Sequence, residues 1–149
     1  MMEIDNPGGT PTKDIFEPVT YSTSWDNLRG AKIVAALDFV VLLMRIPHDF
    51  VAIKNLELIF SPISTGASMN FLMRTYYGLV GEAFNVHTEV QNPRNIGATV
   101  AGQNLAHDIS DLVNVAPLVA EHLLVIQVQH NATVLAANTH LLGVRLRYS

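Results

Sequence analysis

The residues best able to do chemistry in this chain are its six histidines, at positions 48, 87, 107, 122, 130 and 140, and the run His107-Asp108-Ile109-Ser110-Asp111. No two histidines stand at the i, i+4 spacing that sets a pair of imidazoles on one face of a helix, and no HExxH or paired CxxC accompanies them. His122 and His130 fall at opposite ends of one expected strand, roughly 26 Å apart at strand rise, too far to share a metal ion. His130 and His140 would meet only across neighbouring strands, and no carboxylate adjoins either. The expectation is therefore no metal site and no cofactor. His107, Asp108 and Ser110 would suit a general base, an orienting carboxylate and a nucleophile. Successive strand residues face opposite sides, however, so His107 and Asp108 do not form a dyad there. The favoured reading is a strand end followed by a short turn, with Ser110 as helix N-cap and Asp111 in the first turn. No catalytic residue is assigned.

Other chemistry is excluded more simply. The chain holds no cysteine, which removes disulfides, thiolate metal sites and a cysteine nucleophile. There is no GxSxG elbow, no GxxxxGK[ST] loop and no GxGxxG. The nine Lys and Arg residues are scattered and the net charge is −4, so a phosphate backbone finds no electrostatic footprint. The triplet Asn131-Ala132-Thr133 is a formal glycosylation sequon of a kind that arises often by chance. Sugar binding would need exposed aromatics beside amides. Tyr76, Tyr77 and Asn85 come nearest, but neighbouring strand residues cannot both face one groove. A carbohydrate-binding, lectin-like sandwich is the alternative reading.

The elements that would position these groups are strands. Period-two alternation recurs in Leu56, Leu58 and Phe60, in Met69, Phe71 and Met73, in Leu124, Ile126 and Val128, and in Leu142, Val144, Leu146 and Tyr148. Pro47, Pro62, Pro93 and Pro117 are expected between strands, where a missing amide donor does least harm. Gly81 to Gly97 reads as a long connection, and Ala98 to Leu105 as a weak strand after it. The fold expected is all-β, an antiparallel two-sheet jelly-roll sandwich over residues 31–149. Residues 1–30, with Pro7, Gly8, Gly9, Pro11 and Pro18, read as an extended N-terminal arm. At 149 residues the chain suits one folded domain and needs no staple. No secretory signal is expected from the acidic, polar N-terminus. The longest apolar run, Ile33 to Met44, is interrupted by Asp38 and is too short for a membrane span.

One run stands apart. From Phe39 to Ile46 both faces are apolar, with Val40, Leu42, Met44 and Ile46 on one and Phe39, Val41 and Leu43 on the other. A sandwich core covers only one face of a strand, so the second must meet the arm or another subunit. Charged residues make up only 15% of the chain, below the ordinary level of about 25%, which favours burial between subunits. Phe39, Val41 and Leu43, with the arm aromatics Phe16, Tyr21 and Trp25, are the expected interface.

Three segments carry a resemblance: Arg45-Ile-Pro-His-Asp-Phe50, Gly81-Glu-Ala-Phe-Asn-Val-His-Thr-Glu89 and Leu142-Gly-Val-Arg-Leu-Arg-Tyr-Ser149. Their layout, from about Leu37 onward, resembles the small jelly-roll auxiliary capsid, or head-decoration, proteins of tailed phages. The resemblance implies a non-enzymatic virion component, often a homotrimer, that packs on other copies and on the major capsid protein or other virion proteins. It implies no direct contact with nucleic acid or membrane.

Overall fold

The computed structural model describes residues 11–19, 23–25, 28–33, 39–66, 68–131 and 139–149. Tyr21, most of the Asn131-Ala132-Thr133 triplet and the side chain of Trp25 lie outside the described residues.

Ten strands are described: β1 (Lys13–Pro18), β2 (Thr23–Trp25), β3 (Leu28–Ile33), β4 (Phe39–Arg45), β5 (Ile53–Pro62), β6 (Asn70–Gly78), β7 (His87–Asn95), β8 (Leu105–Asp108), β9 (Leu123–His130) and β10 (Thr139–Tyr148). One 3-10 turn, Ser110–Val113, is the only helical element among the described residues. The protein is an all-β sandwich. One sheet runs β2-β3-β10-β5-β8, with β1 also on β10; the other runs β4-β9-β6-β7. Strand pairing among the described residues is antiparallel throughout. The pairs nest: β10 lies on β1 and β3, β9 on β4, β8 on β5 and β7 on β6.

The core sits between the sheets and follows the period-two residues. Leu56, Leu58 and Phe60 of β5 meet Phe71 and Met73 of β6 and Leu124, Ile126 and Val128 of β9, all fully buried. Phe60 and Phe71 stack across the sheets with ring centroids 5.6 Å apart. On β4, Val40, Leu42 and Met44 point inward, as the sequence requires.

Several expectations are corrected. The connection expected over 81–97 contains β7, an edge strand whose residues are mostly exposed on both faces, so no apolar alternation marks it. Pro93 lies inside β7 rather than between strands, opposite an irregular register between Phe71 and Met73. An edge strand at a bulge is where a missing amide donor is tolerated. Pro62 is the last residue of β5. The strand expected over 98–105 is instead β8, beginning at Leu105, and the residues before it contribute only a bridge from Thr99 to Gly66. Leu142 is half-buried where an inward side chain was expected, because a bulge between Leu141 and Gly143 turns Leu141 into the core. Ser110 is not an N-cap. That place falls to Ile109, with no side-chain cap.

The segment expected as an arm is extended, and its described part belongs to the six-stranded sheet. Residues Lys13 to Pro18 pair with Tyr148 down to Gly143 in an unbroken register. On the same edge of β10, β3 pairs with Thr139 to Leu141, and β3 itself runs across the boundary expected at residues 30 and 31. Ile15 packs on the core. Phe16 lies over Gly143, where an added Cβ would come within 2.6 Å of its ring and 2.4 Å of the Glu17 carbonyl.

Candidate interaction face

The two outer faces of the sandwich differ in kind. On the six-stranded sheet, charges sit directly opposite one another across strands. Arg147 of β10 faces Asp14 of β1 at 3.0 Å, and Arg145 faces Glu57 of β5 at 2.6 Å. The two most closely spaced basic residues of the sequence are thus each matched by a carboxylate.

The outer face of the four-stranded sheet carries an apolar patch at the β4 side and the β6–β7 turn, bordered by the outward Gln127 and Gln129 of β9 and Arg74 of β6. Phe39, Val41 and Leu43 of β4 are 61%, 51% and 58% exposed. Strand register extends the patch across the sheet: Leu43 faces Val125 of β9, which faces Tyr76 of β6. Phe84 rests edge-on against Tyr76, ring centroids 5.7 Å apart. Beside this row lies a cavity of about 230 Å³ lined by Leu43, Leu79, Val80, Phe84, Leu123 and Val125 among others. The expected trio on β4 is therefore one margin of a broader apolar face. Leu123 and Val125 were legible in principle, since β9 is apolar at the four consecutive positions Leu123 to Ile126, as β4 is from Phe39 to Met44. Leu79, Val80 and Phe84 lie in the β6–β7 turn, where no period advertises them. Phe16 is half exposed on the other sheet and does not join this face.

The polar clusters are spent internally. Arg94 of β7 closes the open side of the sandwich where the β7 and β8 edges meet. Its Nη1 and Nη2 reach the Asp111 carboxylate at 2.6 and 2.8 Å, Nη2 also reaches the Asp108 carbonyl at 2.6 Å, and Nε donates to His107 Nε2 at 2.9 Å. Burial, and then the Arg94 charge, hold His107 below the ordinary histidine range. The hydrogen bond from Arg94 holds the Asp111 carboxyl below the usual carboxylate range. Ser110 Oγ donates to Asp108 at 2.6 Å and accepts from the Leu56 amide at 2.9 Å. Asp108 also accepts the Ser110 amide at 2.8 Å, an Asx-type turn in place of a cap. A triad would need His107 to take the Ser110 proton. Here Asp108 accepts it, and the His107 nitrogen is occupied by a guanidinium.

A second cluster, of rings, lies near the other end. Tyr77 is fully buried, its hydroxyl 3.0 Å from the Ala116 carbonyl, and its ring lies 5.1 Å from His87 and 5.7 Å from His122. His122 Nδ1 accepts the Val119 amide at 3.2 Å, which leaves the ring proton on Nε2. Burial, and then His87, lower the His122 pKa. Tyr76 and Tyr77 face opposite sides of the sheet, so they do not line one sugar groove with Asn85. His130 and His140 stand in different sheets. Among the described residues no cluster of three metal-ligating side chains occurs. No helix among them is long and apolar enough to cross a membrane.

No family model matches this chain, and no curated protein sequence matches it.

Proposed function

We propose that this protein is a non-enzymatic building block of a virus particle, an auxiliary or decoration subunit that works by packing against other copies and against the shell. The observation that carries the reading is the apolar patch on the outer face of β4-β9-β6-β7, from Phe39, Val41 and Leu43 across Val125 to Tyr76 and Phe84, set against ion pairs on the opposite sheet. A folded monomer rarely leaves a contiguous apolar patch of this kind uncovered unless something docks on it. The nested strand order supports a jelly roll, with β1 and β3 together as its first strand and β10 as its last. That architecture serves capsid and lectin domains alike, so the face rather than the fold argues for assembly. The segments Arg45 to Phe50, Gly81 to Glu89 and Leu142 to Ser149 add the resemblance to phage head-decoration proteins. On a symmetric shell each contact repeats, and modest individual affinities sum to stable attachment.

Light scattering over a concentration series, with mass spectrometry of particles purified from the same source, tests the reading. The expected result is self-association together with recovery of the chain in particles. A protein that stays monomeric at every concentration and is absent from particles overturns it.

A further inference from the structure

We infer that the outer edge of β4 is a docking edge for a second copy of this chain, joined strand to strand across a two-fold axis. The inference rests on the self-association proposed above and names its geometry.

β4 is the edge strand of its sheet, and among the described residues only β9 pairs with it. Which of its backbone groups face outward follows from one turn. The Ile46 amide donates to His122 at 2.9 Å and its carbonyl accepts from Glu121 at 3.1 Å, so both groups of Ile46 point toward the β9 side. Backbone groups alternate along an antiparallel strand. Met44, Leu42 and Val40, opposite Leu124, Ile126 and Val128, therefore also point toward β9. The amides and carbonyls of Phe39, Val41, Leu43 and Arg45 are left for the open edge. These are the residues whose side chains stand on the apolar face.

The edge is self-complementary. With a two-fold axis at Leu42, Phe39 faces Arg45 of the second copy and Val41 faces Leu43, and each such pair exchanges two backbone bonds, about eight in all. Outward side chains then meet outward ones and inward meet inward. No like charges oppose: Arg45, already paired with Glu121 of its own chain at 2.8 Å, is set beside the Phe39 ring of the second copy. The strand lacks the devices that blunt an edge, having no proline, lysine or bulge. Across a gap of about 250 Å³, the middle of the strand looks toward Glu17, Pro18 and Val19 rather than lying against them. A second copy paired along the edge joins two outer patches in one eight-stranded sheet.

Val41→Pro tests this, because it removes an amide that no described residue of the chain uses and fills the edge with a ring. Wild-type protein is expected to be a dimer in light scattering, and the folded variant a monomer with its dissociation constant raised roughly tenfold or more. A folded variant that still dimerises overturns the edge while leaving self-association standing. Wild-type protein that is monomeric throughout removes both. Cysteine cross-linking decides the matter should the variant not fold, since the chain has no native cysteine. A mixture of Val41→Cys and Leu43→Cys chains is expected to form a disulfide-linked pair, the facing positions lying within disulfide reach at about 5.5 Å between Cα atoms. Val41→Cys alone sets position 41 of one copy diagonally from position 41 of the other, about 7–8 Å apart along the backbone, and is expected to cross-link poorly. Equal yields from the two, or none from the mixture, contradict the register.

Discussion

Arg94 shows what a single side chain does to hold the two sheets together. It stands on β7 of one sheet and binds Asp111, the Asp108 carbonyl and His107, all at or just beyond β8 of the other. The guanidinium is largely buried while Asp111 is more than half exposed, so solvent screens part of the ion pair. Arg94→Met is expected to destabilise the fold by about 1–3 kcal/mol. Arg94→Lys is expected to recover little of it, since an ammonium cannot span a carboxylate, a carbonyl and an imidazole at once. Urea unfolding measures both, and full rescue by lysine contradicts the geometric account. His107 and His122 add a pH dependence. Both are held neutral in the folded state, chiefly by burial, below the value of about 6.5 at which the unfolded chain takes up protons. Their stabilising contribution is present above that pH and is lost as the pH falls through the lower folded values. The melting temperature is expected to drop between pH 7 and pH 5, and to drop less in His107→Gln, whose amide oxygen still accepts from Arg94. An unchanged slope in that variant removes His107 from the explanation.

Strands were legible wherever one face is buried and the other wet. β5, β6 and β9 show this in their sequence, and the structure places the expected residues in the core. β7 was illegible because most of its residues meet solvent and those that do not, such as His87 and Arg94, are polar, so no apolar alternation marks it. β8 has four residues, too few to establish a period. The Arg94 cluster was equally hidden: 13 to 17 residues separate its members, and they meet only because two edge strands of different sheets close on each other. The bulge in β10 against β5 shifts the alternation by one residue, and on the other side of β10 Gly143 meets β1. β1 passes so close that a methyl group at this position would strike the Glu17 carbonyl at 2.4 Å. Backbone cannot yield as a side-chain tip can. Gly143→Ala is accordingly expected to cost about 1–3 kcal/mol, with the loss concentrated in β1. Hydrogen exchange is the measurement: amides of Lys13 to Glu17 are expected to lose protection while those of β9 keep theirs, and uniform loss across both contradicts a local effect.

At the scale of the whole molecule, the described residues of one outer face include the ion pairs Asp14–Arg147 and Glu57–Arg145 while the other carries an apolar patch, and this asymmetry predicts how association responds to solvent. Contacts made by Asp14, Arg147, Glu57 and Arg145 would weaken as salt is raised, because exposed pairs are screened within about 10 Å at 0.1 M. Contacts made by Val41, Leu43, Val125 and Tyr76 depend instead on removing apolar surface from water, and sulfate or phosphate salts strengthen that. Self-association is therefore expected to persist in 1 M sodium chloride, where the Debye length is about 3 Å, and to tighten in sulfate. Leu43→Lys is expected to weaken it by roughly tenfold or more, since a strongly hydrated charge must be desolvated at the contact. Arg147→Gln, on the ion-paired face and in an exposed pair, is expected to leave it unchanged and to cost the fold under about 1 kcal/mol. Sedimentation velocity of the three proteins across both salts separates the two faces. Association that collapses in sodium chloride, or that responds to Arg147 and ignores Leu43, assigns the docking role to the opposite sheet and removes the observation on which the assembly reading stands.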